Sequence, residues 1–262
     1  MAVVQLNNLS KVYLGQSGTT VHGLTDLNLT IADGEFLCVV GPSGCGKTTL
    51  LNVIAGFEQP SAGDVLVNGV RVVGPSSNRF VIFQEPALFP WLNVTQNVVF
   101  GLRMAGVDPA VQAEKAAFLL NVVHLSRFAN AWVTELSGGM KQRVALARAL
   151  AMDPDILLMD EPFAALDAQT RDMLHEVLEE VYQATKKTIV FVTHNVREAV
   201  RLGSRVILMS SNGGTILREF PIDLPRNRYL EDLEVVTIAS QIRDQLRREV
   251  LMSVDGRGAY VP

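Results

Sequence analysis

The alternation of apolar and polar residues near the start of the chain predicts an antiparallel β layer. Val4, Leu6 and Leu9 fall on one side of an extended segment. Residues 63–73 alternate in the same way around an Asn68-Gly69 pair, which is typical of a tight hairpin turn. We therefore expect antiparallel strands to precede the central part of the fold.

Three short apolar runs predict buried strands of a parallel sheet, at residues 36–40, 156–159 and 188–192. Between the second and third runs an amphipathic helix is indicated by apolar residues at helical spacing, which are Leu174, Val177, Leu178 and Val181. A strand, a helix and a strand in this order form a βαβ unit. The core is therefore predicted to be an α/β domain.

Residues from about 93 to 151 lack strand signals and predict a helical subdomain. One helix face in this stretch is predicted from Ala113, Ala116, Ala117 and Leu120. After Pro221 and Pro225 the pattern changes, and a single amphipathic helix is marked by Val235, Ile238, Ile242 and Leu246. We expect one domain over residues 1–225, with the helical subdomain at about 88–150, and a C-terminal helical extension over 226–262.

Size and composition favour a soluble globular protein. The 262 residues are 48% hydrophobic and 19% charged, which permits a large core and excludes global disorder. A net charge of −4 disfavours nucleic-acid binding by bulk electrostatics and leaves a local basic face as the alternative. No segment approaches the roughly 18 apolar residues of a membrane helix, and the first ten residues show no secretory signal. Cys38 and Cys45 fit neither a disulfide framework nor a zinc site, so a cytoplasmic setting is expected.

A phosphate-binding P-loop pattern occupies residues 41–48, directly after the strand that ends at Val40. Glycines let the backbone turn so that N–H groups point at phosphate oxygens, and the next helix adds its positive end. We expect Lys47 to reach the β- and γ-phosphates and the Thr48 hydroxyl to bind Mg²⁺. The predicted nucleotide contacts are Gly41, Pro42, Ser43, Gly44, Cys45, Gly46, Lys47, Thr48 and Thr49.

Two carboxylates follow the apolar run at residues 156–159. Adjacent residues on a strand point to opposite sides, so Asp160 and Glu161 are expected to have different roles. Asp160 is assigned to Mg²⁺, and Glu161 is the candidate base that orients and deprotonates water. Without a P-loop upstream, such a strand end would be more typical of a solvated loop.

A second glycine signal lies at residues 136–140, where Ser137, Gly138 and Gly139 precede a helix. This opening exposes backbone donors at a helix N-terminus and can bind an anion. Because one nucleotide does not need two such sites from one chain, the second fits a nucleotide held by another copy. Taken alone, the motif is also typical of an ordinary helix N-cap.

Together these motifs resemble those of the ABC (ATP-binding cassette) ATPases, over roughly residues 3–220. Residues 41–48 are similar to the Walker A motif, 156–161 to Walker B and 136–140 to the family signature. The resemblance implies further functional positions: Gln84 in the Q-loop, Asp167 in the D-loop, His194 as the switch histidine and Tyr13 as the aromatic that stacks on adenine. Met140 departs from the glutamine usual in the signature, which puts any contact of that side chain in doubt.

The resemblance also implies a fold and a mechanism. The fold is a P-loop NTPase with a parallel-sheet core, an antiparallel β layer and an α-helical subdomain, and the ligands are ATP and Mg²⁺. The implied catalytic residues are Glu161, His194, Gln84 and Lys47, and the implied Mg²⁺ ligands are Thr48, Gln84 and Asp160. A second ATPase subunit, a copy or a close paralogue, would present Ser137, Gly138 and Gly139 to the nucleotide, while Asp167 communicates across the dimer.

The loop at residues 85–94 is apolar and aromatic, which favours docking of a membrane-subunit helix over its alternative, packing on its own helical subdomain. With residues 160–167 it resembles the importer branch for nitrate, sulfonates, taurine or bicarbonate. That branch implies two transmembrane permease subunits, an extracytoplasmic substrate-binding protein and a place on the cytoplasmic face of the inner membrane. An exporter or lipid-transporter subunit and a non-transport ABC ATPase remain alternatives. The extension is expected to be a strut, a dimer contact or a regulatory element.

Overall fold

The computed structural model describes residues 2–14, 19–210 and 213–257. Its strands, in chain order, are Ala2–Leu14 (β1), Thr20–Ala32 (β2), Phe36–Val40 (β3), Ala62–Val67 (β4), Val70–Arg71 (β5), Arg79–Ile82 (β6), Ile156–Asp160 (β7), Thr188–Val192 (β8), Arg205–Met209 (β9) and Ile216–Pro221 (β10). Its α-helices are Lys47–Ala55 (α1), Val94–Met104 (α2), Pro109–Val122 (α3), Gly138–Ala151 (α4), Ala168–Thr185 (α5), Val196–Leu202 (α6) and Leu233–Arg257 (α7).

The chain divides into two compact units. Unit 1 comprises residues 1–76 and 188–262, and unit 2 comprises residues 77–187. Unit 1 therefore contains the phosphate loop, and unit 2 contains the acidic strand end and the second glycine motif. The predicted limits of the ATPase domain, its helical subdomain and the C-terminal extension stay predictions.

Unit 1 contains the predicted antiparallel layer, with strand order β2-β1-β4-β5. Its apolar side chains pair across the first two strands, with Leu6 opposite Leu29 and Leu9 opposite Leu27. The β4–β5 hairpin turns at Asn68 and Gly69, whose φ values of 51° and 76° are those of the turn that an Asn-Gly pair favours. Both sequence predictions are confirmed.

The second sheet of unit 1 contains β10, β9, β3 and β8 in that order. β3 pairs in parallel with β8 and β9, so it has a neighbour on each side. All five of its side chains are buried, and the Phe36 ring lies 6.1 Å from the Phe191 ring of β8. A strand covered on both faces has no polar positions, which explains the continuous apolar run in the sequence. The predicted parallel core is confirmed.

Unit 2 combines a parallel strand pair with four α-helices. β6 and β7 are parallel, with Ile82 opposite Met159, so both strands end at the same edge of the sheet. On α5 the predicted stripe is confirmed, because Leu174, Val177 and Leu178 are all buried. The loops that follow β6 and β7 therefore start side by side.

The predicted apolar face of α3 is only half correct. Ala116 and Leu120 are buried, but Ala113 and Ala117 are exposed, and Leu119 is buried instead. An alanine side chain removes little apolar area from water, whereas a leucine removes much more. The two adjacent leucines therefore decide which face of α3 packs, and the alanines do not.

The C-terminal extension forms one long helix that packs in unit 1. Val235, Ala239 and Ile242 of α7 are buried, while Ile238 and Leu246 are only partly buried. The helix begins at Leu233 and continues through the glycine that the sequence places in a tail, and residues 258–262 lie outside the described part. Among the helices of the described residues, none has the length and apolar character to span a membrane.

Arg228, just before α7, is a buried clamp on the end of α6. Its guanidinium donates to the carbonyl oxygens of Val200 and Gly203 at 2.7 and 2.8 Å, and to those of Leu224 and Pro225 at 2.8 Å. The last carbonyl groups of a helix have no partner within the helix, so they need such donors when they are buried. The extension thus stabilises the helix that follows His194.

Replacing Arg228 with methionine should lower the free energy of unfolding by about 3 kcal/mol, because several buried carbonyl groups lose a charged donor. Urea unfolding followed by circular dichroism measures the change. Arg247→Met, at an exposed position of α7, is the control and should change stability by less than about 0.5 kcal/mol. Equal stability of the two variants would contradict the clamp.

Candidate functional site

The phosphate loop lies between β3 and α1, and glycines determine its shape. Gly44 and Gly46 have φ values of 78° and 94°, which residues with a side chain rarely adopt. A Cβ at Gly46 would lie 2.1 Å from the carbonyl oxygen of Gly23, so no side chain fits there. A Cβ at Gly44 would meet no atom of the described residues within 4 Å. The loop is therefore held on one side and open on the other, which fits a phosphate group.

Lys47 begins α1 and carries its charge into this loop. Its side chain is buried, and Nζ donates to the carbonyl oxygens of Gly41 and Pro42 at 2.9 Å each. Both acceptors are neutral carbonyl oxygens, so these two bonds do not neutralise the ammonium group, which can attract an anion. Cys45 also lies here, with Sγ 3.8 Å from Nζ, and burial raises the pKa of its thiol.

The first turn of α1 places two threonines beyond the lysine. Thr48 is exposed, so its hydroxyl oxygen can reach a ligand outside the protein. The Thr49 hydroxyl lies 3.3 Å from the phenolic oxygen of Tyr13 at the end of β1. Tyr13 is the predicted adenine-stacking residue, and unit 1 thus places it next to the phosphate-loop helix.

His194 lies in a short segment between β8 and α6. The N–H of Thr193 donates to the carbonyl of Val39 at 3.1 Å, so this segment leaves the sheet beside the strand that precedes the phosphate loop. The Thr193 hydroxyl donates to the buried carboxylate of Glu198 and accepts from the N–H of Asn195 at 3.0 Å. The backbone on both sides of the exposed His194 side chain is therefore fixed.

The acidic pair of unit 2 differs from the sequence prediction in one respect. β7 ends at Asp160, and Glu161 lies beyond it with a φ of 45°. Strand alternation therefore does not determine the direction of Glu161, and a left-handed turn sets it apart from Asp160 instead. For a residue other than glycine this conformation is uncommon, and Asp153 and Lys186 of unit 2 also adopt it.

Gln84 follows β6 at the same sheet edge and is exposed. The loop after it is tied to α4, because Gln142 donates to the Phe83 carbonyl at 3.3 Å and Arg148 donates to the Pro86 and Ala87 carbonyls at 2.9 and 2.8 Å.

An aromatic cluster completes this loop. The Phe89 ring lies 5.6 Å from the Trp91 ring and 4.3 Å from the Phe100 ring, and the Arg148 guanidinium lies 5.6 Å from the Phe89 centroid. Trp91 is nevertheless 68% exposed. Exposed aromatic side chains on a fixed loop are typical of protein interfaces.

Ser137 is the N-cap of α4, with its hydroxyl accepting from the N–H of Met140 at 3.3 Å. Gly138 has open space around it, whereas a Cβ at Gly139 would lie 2.3 Å from the Thr170 side chain. Thr170 is in turn held by Asp167, which caps α5 and accepts from the Thr170 N–H and hydroxyl at 2.9 and 2.7 Å. These bonds lower the pKa of the Asp167 carboxyl. The signature and the D-loop are therefore in contact within unit 2.

Each unit thus brings together part of the predicted site. Unit 1 holds Tyr13, the phosphate loop and His194, and unit 2 holds Gln84, Asp160, Glu161, Ser137 and Asp167. Sequence reasoning gave no role to Arg148 and Gln142, although charged and amide side chains among the apolar residues of α4 were a signal for them. Within the described residues, no group of three or more histidine, cysteine or acidic side chains could hold a metal ion.

Comparisons with known proteins agree with these motifs. Residues 24–164, more than half of the chain, match the family described as ABC transporter. The nitrate import ATP-binding protein NrtD of Synechocystis sp. is 48% identical over 85% of this chain and 83% of its own length. The taurine import ATP-binding protein TauB of Pelagibacter ubique is 49% identical over 81% of this chain and 80% of its own length.

A solved structure extends the likeness to the fold. It is described as a dimeric post-hydrolysis state of the ATP-binding cassette MJ0796 bound to ADP and Pi. It is 33% identical to this chain, with a TM-score of 0.75, and covers 85% of this chain and all of the other. The predicted fold class is confirmed.

The two signature glycines make a matched pair for a stability test. Gly139→Ala should lower the free energy of unfolding by about 1–3 kcal/mol, because its Cβ collides with Thr170. Gly138→Ala should leave stability unchanged or raise it by up to about 1 kcal/mol, because alanine favours the helix and space is available. Urea unfolding of both variants measures this difference, and a Gly139→Ala protein as stable as Gly138→Ala would contradict the packing.

Proposed function

The chain belongs to the ABC transporter family and is an ABC-type ATPase, and on this premise we propose that it powers an importer of a small anion. The cargo is of the nitrate, sulfonate, taurine or bicarbonate type. The observation that best supports ATP binding is the buried Lys47 ammonium in an open glycine loop at the start of α1. Support for import comes from relatives named for nitrate and taurine import.

ATP binds with its phosphates at residues 41–49. Lys47 and the N-terminal N–H groups of α1 contact phosphate oxygens, which a helix N-terminus favours electrostatically. Mg²⁺ neutralises part of the phosphate charge when it is bound with ATP. Thr48, Gln84 and Asp160 would hold Mg²⁺ through a hydroxyl, an amide and a carboxylate oxygen, and hard oxygen ligands of this kind suit that ion.

Hydrolysis depends on positioned water and on stabilisation of the γ-phosphoryl group. Glu161 orients a water molecule and accepts its proton, and its place outside β7 separates it from Asp160. His194 contacts the γ-phosphate from a segment whose backbone is fixed by Thr193 and Asn195.

A second ATPase subunit completes each nucleotide site. Ser137 and Gly139 open α4, and the N-terminus of that helix presents backbone donors to a nucleotide held by the partner subunit. The Thr170 side chain packs against Gly139, and Asp167 of the D-loop accepts a hydrogen bond from the Thr170 N–H. Thr170 thus connects the D-loop to the helix end that faces the partner's nucleotide. ATP favours the closed pair because it binds that state more tightly, and this differential affinity drives transport.

The membrane partners are two permease subunits, which receive the cargo from an extracytoplasmic binding protein. The loop after Gln84 is the proposed permease contact, because Trp91 is exposed on a loop that Arg148 and Gln142 hold in place. The ATPase subunit thus lies at the cytoplasmic face of the inner membrane, to which the permease subunits attach it.

Replacing Glu161 with glutamine should keep ATP binding and reduce hydrolysis at least about a hundredfold, because an amide cannot accept the proton. Lys47→Ala should instead weaken ATP binding and abolish hydrolysis. Equilibrium binding of a fluorescent ATP analogue and phosphate release, measured on both variants, separate the two effects. Near-normal turnover of Glu161→Gln would reject the base role, and near-normal binding and turnover of Lys47→Ala would reject the phosphate site.

The cargo proposal is tested by uptake. Cells that lack the gene should lose uptake of labelled nitrate, taurine, an alkanesulfonate or bicarbonate, and the wild-type gene should restore it while the Lys47→Ala gene should not. Unchanged uptake of all four, with loss of a sugar, amino acid or metal, would overturn the anion proposal. The ATPase activity would remain established by its own measurement.

A further inference from the structure

The phenol of Tyr13 is tethered to the segment that follows the phosphate-loop helix. Its hydroxyl donates to Oε2 of Glu58 at 2.5 Å, and the Thr49 hydroxyl oxygen lies 3.3 Å from the phenolic oxygen of Tyr13. Tyr13 is the next-to-last residue of β1 in the antiparallel layer, whereas Glu58 lies just beyond α1, after Gly56 and Phe57. This bond therefore connects the end of β1 to the segment that follows the phosphate-loop helix.

Glu58 is itself held by two further donors. Oε1 accepts from the side-chain amide of Asn52 on α1 at 3.0 Å, and Oε2 lies 3.3 Å from the ammonium of Lys11. Burial alone would raise the pKa of Glu58, but the hydrogen bonds from Tyr13, Asn52 and Lys11 outweigh it and lower that pKa. The carboxylate is therefore charged, and its position is defined from both sides.

The ring of Tyr13 is constrained along its edge as well. A Cβ at Gly23 would lie 2.8 Å from Cε2 of the ring, so the ring edge lies against a position that only glycine leaves open. The Lys11 ammonium lies 5.1 Å from the ring centroid. Tyr13 is still 36% exposed, so part of the ring surface remains available to a ligand.

We propose that Glu58 is a positioning residue for the nucleobase, which holds the Tyr13 ring where the adenine of bound ATP stacks on it. The inference rests on the proposed function, since it needs ATP phosphates at residues 41–49. A ring fixed before binding loses less conformational freedom when the base arrives, so the tether strengthens binding of the base. The phosphate groups contact the loop and not the ring, so loss of the tether should weaken binding of the base much more than binding of the phosphates.

The test compares ATP with inorganic tripolyphosphate, which carries phosphates but no base. Binding of both to the full chain is measured by calorimetry. For Glu58→Ala we expect the Kd of ATP to rise about three- to tenfold, the range that loss of an oriented aromatic contact gives. The Kd of tripolyphosphate should change less than about twofold, within ordinary experimental scatter of an unaffected site. Glu231→Ala, an exposed carboxylate before α7, is the control.

Tyr13→Phe provides a second variant that keeps the ring and removes only the hydroxyl. It should weaken ATP binding as Glu58→Ala does, and the double variant should bind ATP no more weakly than either single variant, because both changes break the same bond. Equal weakening of ATP and tripolyphosphate would show that Glu58 only supports the fold of α1 and would overturn the inference. Unchanged ATP binding in Glu58→Ala would overturn it too.

The proposed function fails in a different way. If the unmodified chain bound neither ATP nor tripolyphosphate, or if Lys47→Ala weakened neither, the phosphate site itself would be wrong. If Lys47→Ala weakens both ligands while Glu58→Ala affects neither, the phosphate site stands and only the tether is rejected.

Discussion

The buried ammonium of Lys47 is the interaction on which the nucleotide site depends. Burying a charge is costly unless polar groups surround it, and here the carbonyl oxygens of Gly41 and Pro42 do so at 2.9 Å. These carbonyls converge only because the loop turns through Gly44 and Gly46, whose φ values exclude most side chains. β3 and α1 hold the two ends of the loop. The central strand, the glycines and the helix thus all serve to hold one positive charge where an anion can approach it.

Much of the fold followed from pattern, and the exceptions have physical causes. Continuous apolar runs predicted β3 and β8 because a strand buried on both faces admits no polar position. The prediction for the buried face of α3 was half wrong, because the small side chains of Ala113 and Ala117 give a weak burial signal beside larger neighbours. The left-handed φ of Glu161 is a local conformation that strand alternation does not encode. The bond between Tyr13 and Glu58 joins residues far apart in sequence, which no local pattern predicts.

In unit 2, one helix touches most of the predicted functional elements. α4 opens at the proposed phosphate-facing end with Ser137, and Gly139 packs on the cap of the D-loop helix. Farther along, Gln142 and Arg148 bind carbonyl groups on both sides of Gln84. One helix therefore joins the loop proposed to contact the permease to the backbone donors proposed to face the partner's nucleotide. Such a shared helix is a physical route for coupling between the permease contact and the nucleotide site, and mutations along α4 would test that route.

The central claim is that each nucleotide site combines the phosphate loop of one copy with the signature of another. Mixing two inactive variants, Lys47→Ala and Ser137→Arg, each also carrying Glu161→Gln, tests it directly through ATP retained after gel filtration. If sites are shared between copies, a mixed dimer contains one site with both changes and one with neither. We expect the mixture to retain ATP although each variant alone does not. Retention by the mixture no greater than that of the separate variants would contradict it.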